Sequence, residues 1–162
     1  MRQIIFQLFI FILVTGCQHP EINSAGLQKQ VDSLNERIKN SYSPGLGEFM
    51  SSIQMHHAKL WFAGKNNNWA LADFELGEIN ETLDDIRKYN SDRPEVKDLP
   101  IIDHTLDSLK QAIASKNQVA FKTGFTFLTN SCNNCHRVTR HEFNVIKIPD
   151  LPPVTNQDFG SH

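Results

Sequence analysis

Residues 121–136, FKTGFTFLTNSCNNCH, place Phe121, Phe125, Leu128, Cys132 and Cys135 at successive steps of four, three, four and three. Apolar side chains at that spacing share one face of an α-helix, whereas a half-buried strand would turn every second residue inward. The two cysteines therefore continue a core-facing seam. Outward from this stretch the same signature recurs. A segment starting near Pro100, a residue suited to a helix's first turn, carries Ile102, Leu106, Leu109 and Ile113. Only a short Lys116-Asn117 turn separates it from the quoted stretch. Residues 68–88 set Trp69, Ala72, Leu76, Ile79, Leu83 and Ile86 at alternating steps of three and four, with Asp and Glu on the other side, as in a bundle seam. Residues 46–63 carry Leu46, Phe49, Met50, Ile53, His57, Leu60 and Trp61 on one face, and Gly64 suits a C-terminal cap. Asn66-Asn67-Asn68 makes a tight turn, and 90–97, containing Pro94, is the longest connection. Short loops imply antiparallel neighbours. The expected fold is all-α: an antiparallel up-down-up-down four-helix bundle over 46–140 with an extra short N-terminal helix. No strand-like alternation of any length, internal repeat or low-complexity tract competes with it.

The N-terminus reads as an export signal. Arg2 precedes an apolar run from Ile4 to Val14, followed by Thr15-Gly16-Cys17. A charged start, an apolar stretch of that length and a small residue before the cut describe a cleaved signal over 1–16 and not a membrane span. Val14-Thr15-Gly16-Cys17 resembles the lipobox of bacterial lipoproteins, which implies lipidation of Cys17 and anchorage on the periplasmic side of a membrane. Gln18, in place of an aspartate, leans by the same resemblance towards the outer membrane. The alternative is an ordinary signal peptide with an incidental cysteine. Residues 17–45 then form a tether, in which Leu27, Val31, Leu34 and Ile38 mark a short amphipathic helix able to pack on the domain or pair with a neighbouring chain. Tyr42-Ser43-Pro44-Gly45 ends it. Loss of 1–16 still leaves enough chain for one domain with its own core.

Cys132-Asn133-Asn134-Cys135-His136 has the Cys-x-x-Cys-His spacing of c-type haem attachment. Two thiols one helical turn apart can add to the two vinyl groups on one edge of a porphyrin, and the histidine beside them can reach the iron from one face. The chain has three cysteines, which lipid on Cys17 and haem on Cys132 and Cys135 use completely. A zinc site built from Cys132, Cys135 and His141 lacks an evident fourth ligand. A Cys132–Cys135 disulfide in a haem-free structural lipoprotein remains as an alternative.

Helix order and motif position over 46–140 resemble cytochrome c-prime and related c-type bundle cytochromes. That resemblance implies one covalent haem c with His136 as proximal iron ligand. It also admits a five-coordinate haem that binds small gases (NO or CO), should Phe49 and Ile53 cover an empty sixth position. The run from His57 to Gly64, with Trp69 and Leu71 beyond it, is similar to small bacterial exported proteins, some of which carry this haem motif. In an antiparallel bundle the last helix ends beside the start of the first, so Met50 is the expected distal ligand. His/Met ligation favours a low-spin electron carrier with a raised reduction potential. His57 is the alternative ligand, about 10 Å further along the helix axis. Met55 and His56 are expected on the surface or flank. His104 and His162 carry no signal.

Arg137, Arg140 and Lys147 are candidate partners for haem propionates, which favour guanidinium. Residues 141–162 are expected as an extended tail, lying across the bundle end or the exposed haem edge. The formal net charge of −2, with no basic block, gives no reason to expect a nucleic-acid partner. No nucleophile–base or acid pair stands at telling spacing, so no enzyme activity is expected. The expected function is single-electron transfer to redox partner proteins by a lipid-anchored cytochrome c, with a homodimer consistent with bundles of this kind.

Overall fold

The computed structural model describes residues 23–41 and 44–161. The expected export signal over 1–16 and the expected lipidation site Cys17 lie outside the described residues. Every regular element among the described residues is helical: α1 (Ser24–Ser41), α2 (Leu46–Lys65), α3 (Trp69–Tyr89), a short 3-10 helix (Pro94–Asp98), α4 (Pro100–Ala114) and α5 (Gln118–Val138). The chain divides into two units, the first ending at Ser41 and the second beginning at Tyr42. In the first, Asn23 Oδ1 accepts from the Gly26 N–H and starts α1, whose apolar stripe of Leu27, Val31, Leu34 and Ile38 is exposed. Among the described residues no helix is long and apolar enough to cross a membrane.

In the second unit, α2 packs on α3 and α5, and α4 packs on the same two helices. Asparagines make the turns. Asn67 takes the left-handed conformation (φ 60°), and Asn68 caps α3 by accepting from the Leu71 N–H. Between α4 and α5, Lys116 is left-handed (φ 52°), and Asn117 accepts from the N–H groups of Val119 and Ala120. Pro100 opens α4 at a position that needs no amide hydrogen. Asn90, at the end of α3, donates to the Pro44 carbonyl and ties the long connection to the start of α2.

The core follows the four seams read from the sequence, with Leu60, Leu76, Ile79, Leu83, Ile86, Leu106, Leu109, Phe121, Phe125 and Leu128 essentially inaccessible to water. Trp61, Trp69, Phe121 and Phe125 form an aromatic cluster at one end, with ring centroids 4.9–6.3 Å apart. Two sequence expectations need correction. Gly64 does not cap α2, which continues to Lys65 and is closed by Asn66. Instead Gly64 is where α2 meets α5: a β-carbon there would lie 2.0 Å from Phe121 Cζ. Glu75 is not on the solvent side of α3 but almost wholly buried. It is held by His56 Nδ1 at 2.7 Å and by Lys59 Nζ at 3.9 Å, both on α2, which compensate a carboxylate beside the seam. Of the two residues expected on the surface or flank, His56 lies on the flank with its ring against Glu75, and Met55 is exposed.

The tail, 141–161, has no regular secondary structure and runs along the unit. Asn144 and Ile146 meet α5 near its C-terminus. At the far end Phe159 packs on Phe62, and the Gly160 carbonyl accepts from Asn68 Nδ2.

Gly64→Ala should destabilise the unit by about 2 kcal/mol, because overpacking against an immobile ring outweighs the gain in helix propensity. Urea unfolding would measure it. Adding Phe121→Leu to Gly64→Ala should recover part of the loss, and a double variant no better than the sum of the singles would contradict this packing account.

Candidate functional site

Cys132 and Cys135 occupy the last two turns of α5, on the seam below Leu128, and both are buried free thiols. Burial pushes the Cys132 thiol up to about 12. Burial, with the charges of Asp98 and Glu95, also raises Cys135. Both shifts hold the pair as neutral thiols. Among the described residues no group of three His, Cys, Asp or Glu side chains could hold a metal ion. His141 is engaged locally, its Nδ1 2.8 Å from the Thr139 carbonyl.

His136 is half-buried, and its Nδ1 lies 2.6 Å from the Asn144 carbonyl. A carbonyl can only accept, so Nδ1 carries the hydrogen and, in the neutral ring, Nε2 keeps its lone pair. This is the state in which a histidine ligates a metal, with the second nitrogen fixed by a backbone oxygen.

Two cavities, of about 180 and 160 Å³, adjoin the motif and share Gly47, Met50, Cys135, His136 and Asn144 in their walls. Leu46, Ile86, Val96 and Leu99 make the first largely apolar; Ile53, Leu83, Ile102 and Ile146 do so for the second, which also contains Cys132. Each is smaller than the roughly 300–1,000 Å³ of a typical cofactor pocket. A porphyrin would need both, with the flexible side chain of Met50 adjusting between them. The donor set fits a covalent haem: two thiols one turn apart, an imidazole with Nε2 available, and apolar walls on either side.

Met50 lines both cavities and stands at the start of α2 beside the end of α5. His57 lines only the second, and its Nε2 is 2.9 Å from Thr129 Oγ1. The Thr129 hydroxyl donates to the Phe125 carbonyl, so the His57 Nε2–H donates to Thr129, and its ring lies 4.4 Å from that of Phe125. His57 is thus a neutral, hydrogen-bonded residue of the core edge. Ile53 borders the second cavity, while Phe49 is buried outside both walls.

Arg137 and Arg140 are exposed and lie outside both walls, and Lys147 pairs with Asp150. The arginine that lines a wall is Arg93, whose guanidinium donates to Glu95 Oε1 at 3.0 Å. Sequence reading missed Arg93 because it sits in the long connection before Pro94, where no periodicity reports direction. It also missed Asn144, whose contribution is a backbone oxygen.

The His57 ring gives a pH test. Burial lowers it from 6.5 to about 4. The unfolded chain therefore takes up a proton on this ring before the folded one as pH falls. Its stabilising contribution is whole above pH 6.5 and is lost between pH 6.5 and 4, about 3 kcal/mol over the window. Urea unfolding of His57→Gln should weaken less than the parent by about 2–3 kcal/mol between pH 7 and 4.5. Identical pH dependence in the two proteins would contradict the assignment.

No family model, no curated protein and no solved structure matches this chain, so its functional reading rests on the site's own chemistry.

Proposed function

We propose that this chain is a c-type cytochrome that carries single electrons. One haem is bonded through thioethers to Cys132 and Cys135, with His136 as proximal ligand and Met50 as distal ligand. The observation that carries the reading is the His136 ring: in the motif's own helix it is held through Nδ1 by the Asn144 carbonyl, with Nε2 left to ligate, beside apolar space that also contains both thiols. The bound haem would supply an iron that cycles between ferric and ferrous.

The residues around it have separate tasks. Cys132 and Cys135 fix the macrocycle's edge against α5. Met50, a soft thioether on the wall shared by both cavities, favours the ferrous state. The apolar walls would offer a bound haem few polar groups to reorganise when an electron is exchanged. For a propionate, Arg93 is better placed than Arg137 or Arg140. The pairwise packing of α2 to α5 supports an up-down-up-down four-helix bundle as the frame. Lipid on Cys17 would hold the protein at the periplasmic face of the outer membrane, and redox proteins would exchange electrons with it there. In α1, Val31 and Ile38 alternate with Leu27 and Leu34 along the exposed stripe, the residue pattern of a parallel two-stranded coiled coil, which supports a homodimer.

A five-coordinate, gas-binding haem is the second reading, favoured by the open space that borders Met50 on two sides. Protein expressed with haem-attachment machinery should gain the mass of one macrocycle, and Cys132→Ser with Cys135→Ser should lose it. The ferrous spectrum should be low-spin and unmoved by carbon monoxide. Met50→Ala should turn it high-spin and responsive to carbon monoxide. Absence of added mass would defeat both readings, and a parent protein that already binds carbon monoxide would select the second.

A further inference from the structure

We propose that Asn133, between the two cysteines, is a positioning residue that pins the C-terminal tail so that the Asn144 carbonyl keeps its grip on His136, and thereby lowers the iron's reduction potential. The proposal rests on the haem reading above and assigns a task to a motif position that haem attachment itself leaves unspecified.

The Asn133 carboxamide makes a reciprocal pair of hydrogen bonds with the backbone of Ile146. Nδ2 donates to the Ile146 carbonyl at 2.7 Å, and Oδ1 accepts from the Ile146 N–H at 2.8 Å. One side chain thus does for Ile146 what a neighbouring strand would do, satisfying both of its backbone groups. Two residues earlier, the Asn144 carbonyl accepts from His136 Nδ1. On its other side the same segment is tied to α5 by the His141 N–H on the His136 carbonyl and turned by the Asn144 N–H on the His141 carbonyl. The Asn144 oxygen is therefore held from both directions, and Asn133 supplies the downstream hold.

Packing alone would not supply it. Phe143 and Val145, flanking Asn144, are 81% and 72% exposed, and at this end only Ile146 and Ile148 touch the core, partly buried. The clamp also needs a side chain that is donor and acceptor at once. Aspartate has the shape but, when ionised, only accepts, and would face the Ile146 carbonyl with a second oxygen. Asn134 points elsewhere, within 3.4 Å of Arg137, and is exposed.

A carbonyl accepting from Nδ1–H makes the imidazole more basic at Nε2 and stabilises the ferric ion. Loosening the tail should therefore favour the ferrous form. Redox titration of the haem-loaded protein should show Asn133→Ala and Asn133→Asp shifted about tenfold towards ferrous at a fixed applied potential, about 59 mV for one electron. Asn134→Ala should not move. In the same samples the Ile146 amide should be protected from hydrogen exchange in the parent and unprotected in both Asn133 variants. Lost protection with an unchanged potential would overturn the proposal, as would an Ile146 amide that exchanges freely in the parent. Should both variants fail to fold, hydrogen exchange in the parent still decides: the Ile146 amide must be protected, and free exchange there refutes the clamp. If no macrocycle is attached, the haem reading fails by mass alone, while Ile146 protection and the His136 tautomer report separately on the strap.

Discussion

The seating of Phe121 against Gly64 is the contact on which the geometry of this protein turns. A helix is a stiff rod, so fixing its rotation at one end fixes it at the other. Phe121 lies where a β-carbon on residue 64 would stand, which sets both the distance and the rotational register between α2 and α5. From there the seam continues through Phe125 and Leu128 to Cys132 and Cys135, about 16–21 Å along the axis. Met50 travels the corresponding distance in the opposite direction along α2. The dry aromatic end thus directs which side chains meet at the other end, where the two cavities lie.

Polar groups between the helices and the motif histidine find their partners differently. Within the packed unit, His57 pairs with Thr129, Thr105 with Ser131, and Glu75 with His56 and Lys59. Each pair satisfies groups that would be costly if left alone in a low-dielectric interior. These pairs bridge different helices and add direction to a core that apolar contacts alone would specify loosely. At the motif end, the partner of His136 comes instead from the tail, a segment with little buried apolar surface of its own. Its position depends on hydrogen bonds to α5, which makes the orientation of that imidazole separable from the stability of the helices.

Much of the helical order was legible because it is local. The steps of three and four through Trp69 to Ile86 and Ile102 to Ile113 report burial directly, and the asparagines at the turns have side chains that compete for backbone groups and so mark helix starts. The site was legible only as far as its motif. Cys132, Cys135 and His136 are adjacent in sequence, and Met50 followed from the antiparallel order of helices, so both could be reasoned from one dimension. Arg93, Asn144 and Glu75 could not. Arg93 lies in a connection without periodicity, Asn144 acts through an oxygen common to every residue, and Glu75 is acceptable in the interior only because the His56 ring and the Lys59 ammonium on α2 reach it.

Residue order by itself determined the helices, their turns, the seams they bury and the presence of a Cys-x-x-Cys-His motif on the last of them, since each depends on neighbours within a few turns. Tertiary structure alone decided that Gly64 is a contact and not a cap, that His57 is a neutral residue hydrogen-bonded to Thr129, and that the tail holds His136. Those outcomes arise from groups far apart in the chain, whose approach is set by the shape of the packed helices, and no spacing along the sequence encodes that shape.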